Sequence, residues 1–196
     1  MMLGIKKSIS LATFALMLMT VTPAAGAVQA DGASNHVTDL VTQLRLSQHP
    51  EGGSFAEVFT ASEKYTKDKT TRALAGSIYF LLDKQEVSHF HMNGCEELWY
   101  YHEGCGMRLS IINVDGSVTE EYLGTQVAKG ERPMIYIPAN TIFAAENLDP
   151  DSYTLASCMT TPKFQYKDWR LLSKAELLKI APQQKDLINR MAFETI

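Results

Sequence analysis

The spacing of apolar positions changes twice along this chain. Val37, Leu40, Val41 and Leu44 recur at three- and four-residue steps, which predicts a short amphipathic helix. His49-Pro50-Glu51-Gly52-Gly53 then breaks it. From there the period falls to two. Residues 54–60, 73–82, 86–91, 97–102, 107–114, 117–123, 133–137 and 152–159 read as strands, with Asp115-Gly116 as a hairpin turn. Ser173-Lys174-Ala175-Glu176 is a capping box that opens a helix. Pro182 fits the first turn of another, with Leu187, Ile188 and Met191 as its apolar stripe. A helix, about eight short strands and two helices predict a mainly β, closed architecture, since no helices separate the strands as a parallel sheet requires.

The first residues follow a different order. Lys6 and Lys7 precede an apolar run from Ile9 to Val21, and Pro23 with Ala24, Ala25, Gly26 and Ala27 follows. That is the order of a secretory signal peptide over residues 1–27, with cleavage after Ala27 or Ala30. The run of about 13 apolar residues is short of the roughly 20 that span a bilayer, so no stable membrane insertion is expected after cleavage. Residues 31–36 read as a polar linker, and 37–196 as one domain.

Composition narrows the function. Formal net charge is -4 and there is no long basic run, which disfavours nucleic acid as a partner. Export would place Cys95, Cys105 and Cys158 in an oxidising compartment, where one disulfide is open to them and the odd count leaves at least one thiol free; three small, partly buried hydrophobes are the alternative, since a domain of this size needs no staple. There is no phosphate loop, dinucleotide fingerprint, nucleophile elbow or His-Glu-x-x-His helix.

The chemistry concentrates in Ser88-His89-Phe90-His91-Met92-Asn93-Gly94-Cys95-Glu96-Glu97-Leu98-Trp99. On a regular strand, residues two apart share a face, so His89 and His91 converge. Asn93-Gly94 offers a turn, and Glu97 returns on the next strand opposite His91. Two imidazoles and a carboxylate are the donor set of a facial metal triad; equally, the histidines could only hydrogen-bond in a polar pocket. Trp99 and Tyr101 alternate onto the face of Glu97, as cavity walls or as ordinary core. Glu57, between Phe55 and Phe59, is expected in the pocket, where burial would raise its pKa. His36 and His49 are expected in solvent, and His102 facing away from Glu97.

These residues resemble the cupin superfamily. His89-x-His91, Glu97 and Gly104 are similar to its first motif; Gly130-Glu131-Arg132-Pro133 and Pro138-Ala139-Asn140, to its second. Pro50 to Gly53, Ser88 with His91, and the acidic pair before Leu98-Trp99 resemble the small single-domain cupin type 5 subfamily, over residues 37–193. The resemblance implies a double-stranded β-helix or jelly-roll barrel. It implies one divalent metal (Fe, Zn, Mn, Ni or Cu) on His89, His91 and Glu97. Phe143 stands where the second motif usually supplies another histidine, so that ligand set is incomplete. Asn140 replaces a glycine, as asparagine can where the backbone turns left-handed. Asn147 keeps the motif's last residue.

Three roles follow from the resemblance. One is a binding module for a small polar ligand, a carbohydrate or organic acid, lined by Glu57, Ser88, Trp99 and Phe143. Another is an enzyme: a metal-free isomerase or epimerase with His91, Glu97 and Tyr101 as catalytic groups, or a metal-dependent oxygenase or lyase. The third is a storage-like structural role. A homodimer, secreted or periplasmic, is expected.

Overall fold

The computed structural model describes residues 30–196 except residue 68; the expected signal peptide lies outside the described residues. Helix α1 (Ala30–Gln43) comes first. The strands are β1 (Ser47–Gln48), β2 (Ser54–Thr60), β3 (Lys64–Lys67), β4 (Thr70–Ala73), β5 (Gly76–Asp83), β6 (Val87–Asn93) and β7 (Glu96–Gly104). After them come β8 (Met107–Ile112), β9 (Val118–Leu123), β10 (Met134–Ile137), β11 (Ile142–Asn147), β12 (Tyr153–Thr161) and β13 (Trp169–Leu171). Helices α2 (Lys174–Ile180) and α3 (Lys185–Met191) end the order.

All ladders are antiparallel. One sheet runs β1-β2-β5-β12-β7-β10, the other β13-β6-β11-β8-β9, and β3-β4 is a separate hairpin. They form a two-sheet jelly roll rather than the closed barrel expected from the strand pattern. Phe80, Leu82, Trp99, Met107, Leu109, Leu123, Ile137 and Phe143 fill the space between the sheets. Behind the second sheet, Phe90, Ile112 and Ala144 pack on Leu177, Ile188 and Met191 of the C-terminal helices. Behind the first, Leu81 and Leu155 meet Val37 and Leu46. Among the described residues no helix is long and apolar enough to cross a membrane.

Several differences from the sequence reading have local causes. Residues 31–36, read as a linker, form the first part of α1; Gly32, Ser34 and Asn35 give the segment a loop-like composition. The expected strand 73–82 is split between β4 and β5. Hairpin β3-β4 went unseen because its Lys and Thr residues show no apolar alternation; β3 is exposed throughout. Strand β11 went unseen for the opposite reason. Ile142 and Ala144 face the helices while Phe143 and Ala145 face the interior, so both sides are apolar and no period of two remains.

The capping box is present: Glu176 N–H donates to Ser173 Oγ, and Ser173 N–H donates to Glu176 Oε2 at 2.9 Å. Ser173→Ala is expected to lower stability by about 1 kcal/mol in a denaturant titration. Asn140 has φ 63, the left-handed backbone expected for it.

Candidate functional site

A cavity of about 140 Å³ opens between the sheets at the end where β6 passes into β7. On the same measure one water needs roughly 10–15 Å³, so the space suits a small molecule. Each polar residue on its wall has a traceable origin.

The first finding concerns β6. Against β11, His91 pairs with Phe143 but Ser88 pairs with Ala145. Two residues, His89 and Phe90, therefore stand opposite Ala144 alone. This β-bulge breaks the alternation. Ser88 and His91, three apart, turn inward, while Phe90 joins the core under the helices. The expected convergence of His89 with His91 does not occur. The His89 ring stacks on Phe193 with centroids 3.9 Å apart, and its Nδ1–H donates to the Glu51 carbonyl at 2.7 Å.

The second concerns Glu97. It was expected on a neighbouring strand of one sheet, but β6 and β7 belong to opposite sheets. His91 and Glu97 thus reach the cavity from its two sides. They are 2% and 7% exposed. Asn93 Nδ2 lies 3.4 Å from Glu97 Oε2, and the Cys158 thiol also hydrogen-bonds this carboxyl. Burial pushes the Glu97 pKa up to about 7, a rise opposed by His91 and reinforced by Glu51. Burial likewise lowers the pKa of His91. The His91 Nδ1–H donates to the His89 carbonyl at 2.8 Å, so in the neutral ring the basic nitrogen is Nε2.

The third concerns the segment between α1 and β2, read from sequence only as a helix stop. Its Glu51 is 6% exposed and lines the cavity. Ser88 Oγ donates to Glu51 Oε1 at 2.8 Å, and Trp169 Nε1–H to Oε2 at 3.2 Å. Oε2 also stands 3.6 Å from His91 Nδ1 and 3.4 Å from His49 Nδ1. Burial raises the Glu51 pKa and lowers that of His49. His49, expected in solvent, has a side chain only 8% exposed and sits edge-on to Phe55 at 4.7 Å. Gly52 permits this turn: its φ is 104, and a Cβ there would lie 2.1 Å from the Val87 carbonyl oxygen. The signal available in the sequence is a histidine and an acid set in a Pro-x-Gly-Gly turn, a pattern that also reads as a helix terminator.

The remaining expectations divide. Trp99 lines the cavity, and its Nε1–H is buried without a partner. Ser88 is buried and acts on Glu51 rather than on the cavity surface. Phe143 packs beneath His91, ring centroids 4.3 Å apart, as core. Tyr101 is outside the cavity lining; its hydroxyl donates to Gly104 O at 2.8 Å, at the far end of β7 from Glu97. Glu57 does line the cavity, at its exposed rim. It keeps the face of Phe55, since the bulge at Val58 comes only after it, and Lys163 Nζ holds its Oε1 at 2.7 Å, which lowers its pKa instead of raising it. Phe164 and Tyr166, on the segment before β13, complete the mouth. Cys95, Cys105 and Cys158 are all free thiols; burial holds the Cys158 thiol well above its usual pKa.

The implied metal does not fit these residues. Of the four positions, His89 is turned away and Phe143 offers no donor, leaving His91 and Glu97. Among the described residues no three histidines, cysteines or acids are grouped so as to hold an ion.

Comparison with known proteins adds the family. The family model described as Cupin superfamily (DUF985) matches residues 38–172. A hypothetical protein from Leishmania major is 29% identical, with a TM-score of 0.73 over 80% of this chain and 98% of that one. A protein from Shewanella oneidensis is 35% identical, with a TM-score of 0.74 over 79% of this chain and 95% of that one. No curated protein matches. The chain therefore belongs to the cupin superfamily, in the family DUF985.

Proposed function

We propose that this cupin holds a small polar molecule between its sheets and moves a proton on it, as an isomerase or epimerase does. The observation that carries this is the meeting of buried Glu97 and His91 across the cavity. A carboxyl pushed to about 7 is populated in both forms near neutral pH, as a group that gives and takes a proton requires. Across from it, His91 Nε2 is a base in a ring that burial keeps neutral. Glu51, pinned by Ser88 and Trp169, is a second acid beside His91. No step is assigned to a metal, since the donors do not converge.

Two measurements test this. Solvent deuterium entering a bound candidate substrate is expected, and Glu97→Gln should cut the rate by about a hundredfold or more. Binding without exchange in the unaltered protein would reduce the site to a binding module. The other measurement needs no substrate. Folding raises the Glu97 pKa from 4.5 to about 7, so between those values the folded state binds more protons than the unfolded one. Its contribution is therefore present below pH 4.5 and lost as pH rises towards 7. Buried His49 and His91 act oppositely, losing stability as pH falls below 6.5. Glu97→Gln is expected to remove the alkaline loss, worth on the order of 3 kcal/mol, and so raise the melting temperature at pH 8 more than at pH 5.

We also read residues 1–27 as an export signal. A mature chain beginning at Val28 or Asp31 on N-terminal sequencing supports it. The homodimer is part of the same proposal and is checked by light scattering.

A further inference from the structure

The charges on the cavity wall bear on what enters it. Glu51 and Glu97 both line the space, and both are buried. The one lysine among the lining residues, Lys163, is engaged at the rim, its ammonium 2.7 Å from Glu57 Oε1 and 2.7 Å from Thr60 Oγ1. Among the described residues no arginine lines the space. His49 and His91 stand beside the acids, but burial holds both imidazoles toward the neutral form. Two buried carboxyls therefore share a desolvated wall with no free cation to answer them.

The hydrogen-bonding groups point the same way. His91 Nδ1–H is held by the His89 carbonyl, and Nε2 has no partner among the described residues. His91 is 2% exposed, yet this nitrogen is open to the cavity, whereas Trp99 Nε1–H is sealed from it and asks nothing of a ligand. A neutral Nε2 accepts. Glu51 Oε1 and Oε2 each accept one bond, from Ser88 and Trp169, and Glu97 Oε2 takes one from Asn93, which leaves further lone pairs on both carboxylates. An ammonium group brings three donors and a positive charge to these acceptors. A hydroxyl brings one donor and no charge, and a carboxylate brings neither. Taking an ammonium out of water is costly unless its hydrogen bonds are replaced, and Glu51, Glu97 and His91 can replace them. Phe55, Phe80, Tyr166 and Trp169 line the same space, and aromatic rings attract a cation that aliphatic walls would only desolvate. A Glu97 carboxyl that titrates at about 7 ionises beside a cation at little cost near neutral pH.

We propose that the cavity takes a small organic cation, a primary amine in its ammonium form, held by the buried Glu51 and Glu97 with His91 Nε2 as a further acceptor, and that anions of the same shape are rejected. This rests on the cavity being the ligand site of the reading above, and it deepens that reading by naming the ligand class.

Calorimetry on the full chain at pH 7 decides it, with two matched sets as probes: cyclohexylamine, cyclohexanol and cyclohexanecarboxylate, and benzylamine, benzyl alcohol and benzoate. At least one amine is expected to bind. Its alcohol should be about tenfold weaker or worse, and its carboxylate about a hundredfold weaker or worse. An alcohol or carboxylate that equals or exceeds its amine overturns the proposal, as does a panel in which neither amine binds. Glu51→Gln keeps the size of the side chain and removes its charge. It is expected to narrow the amine-to-alcohol ratio about tenfold. A ratio unchanged in a variant that melts cooperatively overturns the proposal; if that variant does not fold, Glu97→Gln reads the same ratio with the same two outcomes. These readouts report binding alone. An amine that binds without deuterium exchange sinks proton transfer while leaving the ligand class standing. A neutral or anionic molecule that exchanges deuterium in this cavity does the reverse.

Discussion

Truncating Phe143 to alanine is expected to lower unfolding free energy by roughly 3–5 kcal/mol, the cost of emptying a large aromatic site that cannot collapse. Phe143 is 0% exposed and contacts two cavity residues at once, His91 at 4.3 Å and Trp99 at 6.1 Å between ring centroids. In a chain of this length the midpoint of thermal unfolding should fall on the order of 10 °C. The loss should appear in ligand binding too, because the floor under the His91 ring goes with it. A scan showing a shift of only a degree or two would mean that the sheets close over the gap, and that this side chain does not fix their separation.

Gly52→Ala is expected to cost roughly 2–5 kcal/mol, from two effects that add: backbone strain at φ 104 and overlap with the Val87 carbonyl oxygen at 2.1 Å. Relief requires the turn to lift off β6. That breaks the 2.8 Å bond from His89 N–H to Glu51 O and carries the Glu51 carboxyl away from Ser88. Stability and ligand affinity should therefore fall together. Gly104→Ala is the control. A Cβ there would lie 2.0 Å from the Tyr153 carbonyl oxygen, at the far end of β7. It should destabilise the fold while any molecules that remain folded bind normally. If both variants alter affinity alike, Gly52 has no special relation to the site.

The sequence carried most of the architecture because most strands have one apolar face. It lost β11, which is apolar on both faces, and the β3-β4 hairpin, which has no apolar face to show. At the site, His91, Glu97 and Trp99 were legible, since motif and alternation agreed on them. Glu57 and Tyr101 keep their alternation, since the shifts at Val58 in β2 and His102 in β7 come after them, but alternation does not say how far along its strand a residue lies: Glu57 stands at the exposed rim and Tyr101 beyond the cavity. His89 is misplaced because a register shift falls at His89–Phe90 in β6. A bulge adds one residue without changing the letters around it, so counting by two fails there. Glu51 and His49 were missed for a different reason. Proline and glycine announce a turn, and composition does not say that the turn folds inward.

Strand β6 consequently spells two histidines but delivers one. A chain with almost the same letters and an unbroken ladder would offer the interior a second imidazole, and with it other chemistry. The active groups of such proteins are thus better inventoried by tracing which backbone amide meets which carbonyl than by matching short strings. One inserted or deleted position in this stretch is enough to exchange what faces inward.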